Sequence, residues 1–129
     1  MSRVFAGLLM AAAFAGPALA AAPLPSPTVK MTGRTATISL PYRTADKVIW
    51  VSATRMWEAT PFTFKGLEIK PGGGPGGTDL SAFTYTADKA GSATLKFGLV
   101  PPGKMLIGPP TLVYKGPVAS TFQTKVTAP

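Results

Sequence analysis

The sequence predicts an all-β domain, a sandwich or barrel of about seven to eight short antiparallel strands. Short runs of alternating apolar and polar residues recur from Thr28 onward at intervals of about ten residues. Turn-forming residues separate these runs, and the chain contains 14 glycines and 14 prolines to supply them. No long stretch shows the period of an amphipathic helix, so an all-β architecture is the prediction.

The first 27 residues are predicted to lie outside this domain. Residues 1–20 have the three parts of a secretory signal peptide: a basic start, an apolar run from Val4 to Gly16, and small residues up to a cleavage site after Ala20. An uncleaved membrane helix is the alternative interpretation, but the run is too short to span a bilayer comfortably, and no span is expected after cleavage. Residues 21–27 form a proline-rich lead-in, and residues 28–129 form the domain of a secreted or periplasmic protein.

The strands are placed from their alternating residues. In the first half of the domain they are Thr28–Met31, a run with Ala36, Ile38 and Leu40 on one face, Lys47–Ser52, the alternation of Phe62 with Phe64, and, after a break at Gly66, that of Leu67 with Ile69. In the second half they are Ala82–Thr86, a run with Ala93, Leu95, Phe97 and Leu99 on one face, and Ser120–Thr127.

Three features have more than one interpretation. Trp50 lies within an apolar strand and is predicted to be in the core, whereas Trp57 is either a surface anchor or a half-buried packing residue. The segment from Met56 to Ala59 has the composition of a single helical turn. The segment from Met105 to Gly116 is apolar but interrupted by prolines, and it is either a long loop or an added hairpin.

The residue composition argues against an enzyme. The chain has no histidine and no cysteine, which excludes Cys–His and Ser–His–Asp nucleophile systems and metal sites built on imidazole or thiolate ligands. Its five carboxylates are scattered singly and are interpreted as turn or surface residues rather than as a catalytic pair. We therefore predict no catalytic residues, no metal and no cofactor.

The charge indicates which partners are compatible with the surface. Lys and Arg number 13 against 5 Asp and Glu, a formal net charge of +8. The basic residues are spread along the chain, so no nucleic-acid patch is predicted, although acidic proteins or anionic envelope polymers would be attracted. Lysines and prolines on the predicted sheet edges discourage edge-to-edge association, and a monomer is expected.

A glycine-proline loop from Pro71 to Thr78 separates the two halves of the predicted sheet structure. Glycine is too free and proline lacks the N–H that a regular ladder needs, so the segment cannot be a strand or a helix. A flexible connector without a binding role is the simplest interpretation. Backbone without side chains can also approach another surface closely, which is the functional interpretation.

The order of segments from Thr28 to Val126 resembles the chagasin family. That family has Leu-Pro at the end of its second strand, as Leu40-Pro41 here, and then the loop Asn-Pro-Thr-Thr-Gly two residues before a tryptophan. The same spacing before Trp50 places that loop at Arg43, Thr44, Ala45, Asp46 and Lys47. The family's Gly-x-Gly-Gly resembles Gly74, Pro75, Gly76 and Gly77, followed by Thr78, and its Arg-Pro-Trp or Arg-Pro-Phe falls at Val100, Pro101 and Pro102, where only a proline is kept.

The resemblance implies an immunoglobulin-like β-sandwich that inhibits papain-like cysteine peptidases reversibly. In the family, three loops at one end of the sandwich enter the protease cleft without covalent chemistry, and the glycine loop offers backbone hydrogen bonds. The residues named for the three loops are therefore the predicted protease-binding residues. Two loops depart from the family, since a pre-set Asn-Pro turn and an aromatic anchor are absent. The alternative hypothesis is a non-enzymatic periplasmic binding module for a protein or an acidic envelope polymer.

Overall fold

The chain folds into two antiparallel sheets built from short strands. The computed structural model describes residues 24–72 and 75–129, so the predicted signal peptide lies outside the described residues. The strands within this part are β1 (Thr28–Thr32), β2 (Thr35–Tyr42), β3 (Ile49–Ser52), β4 (Phe62–Lys70), β5 (Asp79–Ala87), β6 (Gly91–Val100) and β7 (Ser120–Ala128). A single helical turn, α1 (Met56–Ala59), separates β3 from β4, as its composition indicated.

The two sheets have the strand order of a sandwich. One sheet runs β1-β2-β5-β4 and the other β3-β6-β7, with every pairing antiparallel. This is the order of the two sheets in constant-type immunoglobulin domains. The prediction of an all-β sandwich is therefore confirmed. In residues 24–72 and 75–129 there is also no helix with the length and apolar composition that a membrane crossing requires.

The core lies between the sheets and is formed by the alternating residues. Ile38 and Leu40 of β2 and Leu95 and Phe97 of β6 are almost completely buried. The Phe97 ring lies 4.7 Å, centroid to centroid, from that of Phe83 on β5, which joins the sheets through an aromatic contact. Burying a side chain of this size stabilises the fold by about 1.5–3 kcal/mol.

Two strand boundaries differ from the prediction for backbone reasons. The third strand begins at Ile49 rather than at Lys47, because Lys47 has a φ of +56° and a left-handed residue cannot extend a strand. The predicted break at Gly66 is wrong. β4 is continuous from Phe62 to Lys70, and a β-bulge between Phe64 and Gly66 takes up one extra residue.

The connection between β6 and β7, residues 101–119, is a long loop rather than an added hairpin. Its one bridge is an isolated parallel contact between Met105 and Val113. Leu106 and Val118 pack over Gly98, where an added Cβ would overlap the Leu106 side chain and lie 3.3 Å from Val118. The loop therefore folds back over the β3-β6-β7 sheet and uses the missing side chain of Gly98 to approach it.

Candidate functional site

Three loops begin at the same end of the sandwich because of the strand register. Tyr42, the last residue of β2, pairs with Asp79, the first residue of β5. Loop 1 (residues 43–48) and loop 2 (residues 71–78) therefore emerge side by side. Ile49 at the start of β3 pairs with Val100 at the end of β6, so loop 3 (residues 101–119) also starts here. We call this the loop end of the sandwich.

Loops 1 and 2 share an open depression at the loop end. Its volume is about 310 Å³, and it is lined by Arg43, Thr44, Ala45, Gly76, Gly77, Thr78 and Asp79. Six of these seven lining residues belong to the residues predicted for protease binding. No residue of loop 3 lines the depression, so the structure brings two of the three predicted segments together in one surface.

The carboxylate of Asp79 connects the two loops. One of its oxygens accepts a hydrogen bond from the Thr44 hydroxyl, and the other accepts one from the Gly72 backbone N–H at 2.7 Å. These two donors, Thr44 first, hold the pKa of Asp79 below its ordinary value. Both loops are thereby held in one arrangement before any partner binds. From the sequence, Asp79 was interpreted as a single turn or surface carboxylate. The one indication of its role was its position directly after the predicted glycine loop.

Loop 1 has a defined backbone without the Asn-Pro turn of the chagasin family. A 3-10 turn covers Thr44–Asp46, in which the Asp46 N–H donates to the Arg43 carbonyl at 3.0 Å and the Lys47 N–H donates to that of Thr44 at 2.9 Å. The left-handed Lys47 closes the turn. The Arg43 guanidinium lies 3.7 Å from the Asp46 carboxylate, and this partly exposed pair contributes little to stability. Ala45 is at the exposed centre of this turn.

The described part of loop 2 needs its glycines for backbone conformation rather than for space. Gly76 and Gly77 have φ values of +69° and +80°, which side-chain-bearing residues rarely adopt. An added Cβ at either would meet no atom within 4 Å, so the surface around them is open. Gly74, another predicted binding residue, lies outside the described residues, while Pro75 begins the turn Pro75–Gly77.

The predicted residues of loop 3 contribute less surface than expected. Val100 is the last residue of β6 and its side chain is fully buried, so it is not available for contact. Pro101 is half-buried and Pro102 is exposed. The sequence pattern placed Val100 in a loop because the prolines follow it directly. In the fold, the ladder with β3 continues to this residue.

A tryptophan stabilises the base of loop 1. Trp50 is only 4% exposed, as predicted for a core residue, and its indole N–H donates to the Pro41 carbonyl at 2.8 Å. The bond joins the strand before loop 1 to the strand after it. Trp57, whose role was open, is 71% exposed, with the Arg55 guanidinium 5.6 Å from its ring centroid. It is therefore a surface residue.

The loop end carries hydroxyl and basic side chains. Thr44, Thr78 and the basic Arg43 line the depression, and a second basic residue, Lys47, is exposed at the end of the same loop. Among the described residues, no group of three or more His, Cys, Asp or Glu side chains lies close enough together to hold a metal ion. Comparison of the chain with protein-family models, curated proteins and solved structures gives no match.

Proposed function

We propose that the chain is a secreted, non-enzymatic inhibitor that inserts its loop end into the cleft of a papain-like cysteine peptidase and blocks it reversibly. The observation that carries the proposal is the junction of loops 1 and 2 through Asp79, which presents two segments as one surface. The segments are those that resemble the inhibitory loops of the chagasin family. Their residues are Arg43 to Lys47 and Pro75 to Thr78, together with Gly74.

Pre-organisation is the physical basis of the proposed inhibition. A loop that is ordered before binding loses less conformational entropy when it enters a cleft. Loop 1 carries its own turn hydrogen bonds, and the Asp79 carboxylate holds it against loop 2. Ala45, the small exposed residue at the centre of the turn, leaves the backbone accessible at the leading surface. The glycines of loop 2 do the same beside it.

The test is titration of the mature chain against papain and a cathepsin L-type peptidase, with a pair of matched variants. Ala45→Trp adds a large ring at the centre of loop 1, and we expect it to abolish inhibition by preventing entry into the cleft. Ala90→Trp makes the same change at an exposed residue of the β5–β6 turn, at the opposite end of the sandwich, and inhibition should be unchanged. A folded wild-type chain that fails to inhibit either enzyme at tens of micromolar, or equal effects of both variants, would contradict the proposal.

The excess of basic residues favours a second candidate function, binding of an acidic protein or envelope polymer. Lys and Arg exceed Asp and Glu by 13 to 5, and Arg43 and Lys47 stand at the loop end. Attraction of this kind weakens as salt screens it. Retention of an acidic envelope component at low salt, lost in an Arg43→Ala/Lys47→Ala variant, would support this candidate. Inhibition of the peptidases without such retention would decide against it.

A further inference from the structure

We propose that the chain forms a two-fold symmetric dimer by antiparallel pairing of β4 with β4 of a second copy, centred on Leu67. This surface lies along the open edge of the four-stranded sheet, away from the depression at the loop end. The proposal rests on an exposed apolar stripe, on the direction of the backbone groups and on the order of charges along the strand.

The stripe consists of three core-facing residues that the fold does not cover. Phe64, Leu67 and Ile69 pair with Tyr85, Phe83 and Ser81 of β5, all of which are buried. The side chains of the β4 residues are nevertheless 49%, 45% and 36% exposed. The opposite sheet ends at β3, which has only four residues, against nine in β4. Apolar side chains on the inner face of an edge strand are therefore left in solvent.

The same three residues direct their backbone groups to the open edge. The Ala87 N–H donates to the Arg34 carbonyl, on the β2 side of β5, whereas the Asp88 N–H donates to the Pro61 carbonyl, on the β4 side. Backbone direction alternates along a strand, so Tyr85 and Phe83 bond towards β2. Phe64 and Leu67 are paired with these two residues, so they form no hydrogen bonds with β5. Their backbone N–H and C=O groups point away from β5, to the open edge of the sheet.

The β-bulge places these positions in a self-complementary register. The bulge takes up Lys65, so Phe64, Leu67 and Ile69 follow one another at equal steps along the edge. A two-fold axis through Leu67 sets Leu67 opposite Leu67 of the second copy and Phe64 opposite Ile69. An aliphatic side chain thereby arrives beside Phe64, which lines an open, largely apolar cavity of about 460 Å³.

The charges along β4 distinguish a second copy from other occupants. Lys65, which lies in the bulge, and Glu68 are both exposed. Between the Phe64–Ile69 and Leu67–Leu67 pairs, the same axis sets Glu68 opposite the Lys65–Gly66 bulge of the second copy, twice, so that each carboxylate lies near an ammonium group. An acidic peptide would meet Glu68 as a like charge, and a basic peptide would meet Lys65. A lysine on an edge strand usually discourages association with other chains, but Lys65 is compatible with pairing to the same edge of an identical chain.

Sedimentation velocity of the mature chain over a range of concentrations tests the proposal, with Leu67→Lys as the disrupting variant. This change sets two ammonium groups against each other across the axis, and we expect the dimer to weaken by about tenfold or more. Val29→Lys is the matched control, because Val29 is 39% exposed on the core-facing side of β1, the opposite edge of the same sheet. It should dimerise like the wild type. Circular dichroism confirms that both variants fold.

Charge exchange between copies gives a test that loss of folding cannot imitate. Lys65→Glu and Glu68→Lys each place like charges opposite one another, so each alone should dimerise about tenfold more weakly than wild type. Mixed together they should form a heterodimer, since every cross-strand pair is then of opposite sign. A wild type that is monomeric up to about 1 mM, a dimer that Leu67→Lys leaves intact, or a mixture no stronger than its components would overturn the proposal.

Discussion

Replacement of Trp50 by Phe should destabilise the domain and loosen loop 1 in particular. The Pro41 carbonyl receives the indole N–H at 2.8 Å. The β1 ladder begins at Thr28, opposite Ser39, so β1 offers no backbone N–H to the carbonyl of Pro41. Phenylalanine at position 50 has no N–H to replace the indole donor. A buried carbonyl left without a donor costs about 1–3 kcal/mol, and the smaller ring adds about 1 kcal/mol in lost packing. We therefore expect a loss of about 2–4 kcal/mol, equivalent to a decrease in Tm of about 10 °C or more for a domain of this size.

Urea unfolding followed by circular dichroism measures this loss, and amide exchange locates it. The N–H groups of Asp46 and Lys47, which form the turn of loop 1, should exchange faster in Trp50→Phe. Trp57→Phe is the matched control, since the same change at an exposed tryptophan should alter the free energy of unfolding by less than about 0.5 kcal/mol. Equal losses in the two variants, or a loss below about 1 kcal/mol in Trp50→Phe, would refute the role assigned to the Trp50–Pro41 bond.

Three further outcomes follow from individual contacts. The pKa values of Glu58 and Asp79 lie below their ordinary values, chiefly through an N-terminal backbone hydrogen bond of α1 and the Thr44 hydroxyl respectively. The stability that they contribute is complete above about pH 5 and is lost as the pH falls through the folded-state pKa values, so the pH dependence of the urea midpoint should be shallower in Asp79→Asn. Gly98→Ala forces the Leu106 side chain away from the sheet and should cost about 1–2 kcal/mol, with faster amide exchange in loop 3 while β6 and β7 stay protected. Phe97→Ala removes the ring between the sheets and should cost about 3–5 kcal/mol in urea unfolding.

The fold was predictable from sequence where side-chain alternation alone decides the structure. Ile38 and Leu40, or Leu95 and Phe97, recur at every second position, and a strand with one buried face requires that period. The segment from Pro71 to Thr78 was likewise predicted to be neither a strand nor a regular helix, and its described residues contain only turns. Neither inference needs any knowledge of the partner strand.

The prediction failed where a partner strand decides the structure. Gly66 indicated a break, yet β5 continues past it and holds β4 in the ladder through a bulge. Val100 precedes two prolines and was assigned to a loop, but its backbone pairs with Ile49. Local composition does not show how far a neighbouring strand extends, and the ends of strands depend on that length.

At the candidate site, too, one part could be predicted from the sequence and another could not. The residue types in loops 1 and 2 identified them as a possible binding surface, and the strand register places them together. The contribution of Asp79 was not predictable, because the Thr44 hydroxyl that it binds is 35 residues away in sequence. A single carboxylate after a glycine loop has no distinctive pattern until the two loops are adjacent.

The contrast between the two tryptophans gives the chain a pair of built-in optical probes. Trp50 is shielded in the core beneath loop 1, whereas Trp57 stands in solvent on α1, beside β4. A water-soluble quencher added to the folded protein should therefore extinguish the emission of Trp57 and leave the blue-shifted emission of Trp50. The short-wavelength part of the emission spectrum thus reports on Trp50, in the interior under loop 1. The long-wavelength part reports on Trp57, on the outer surface next to the open sheet edge.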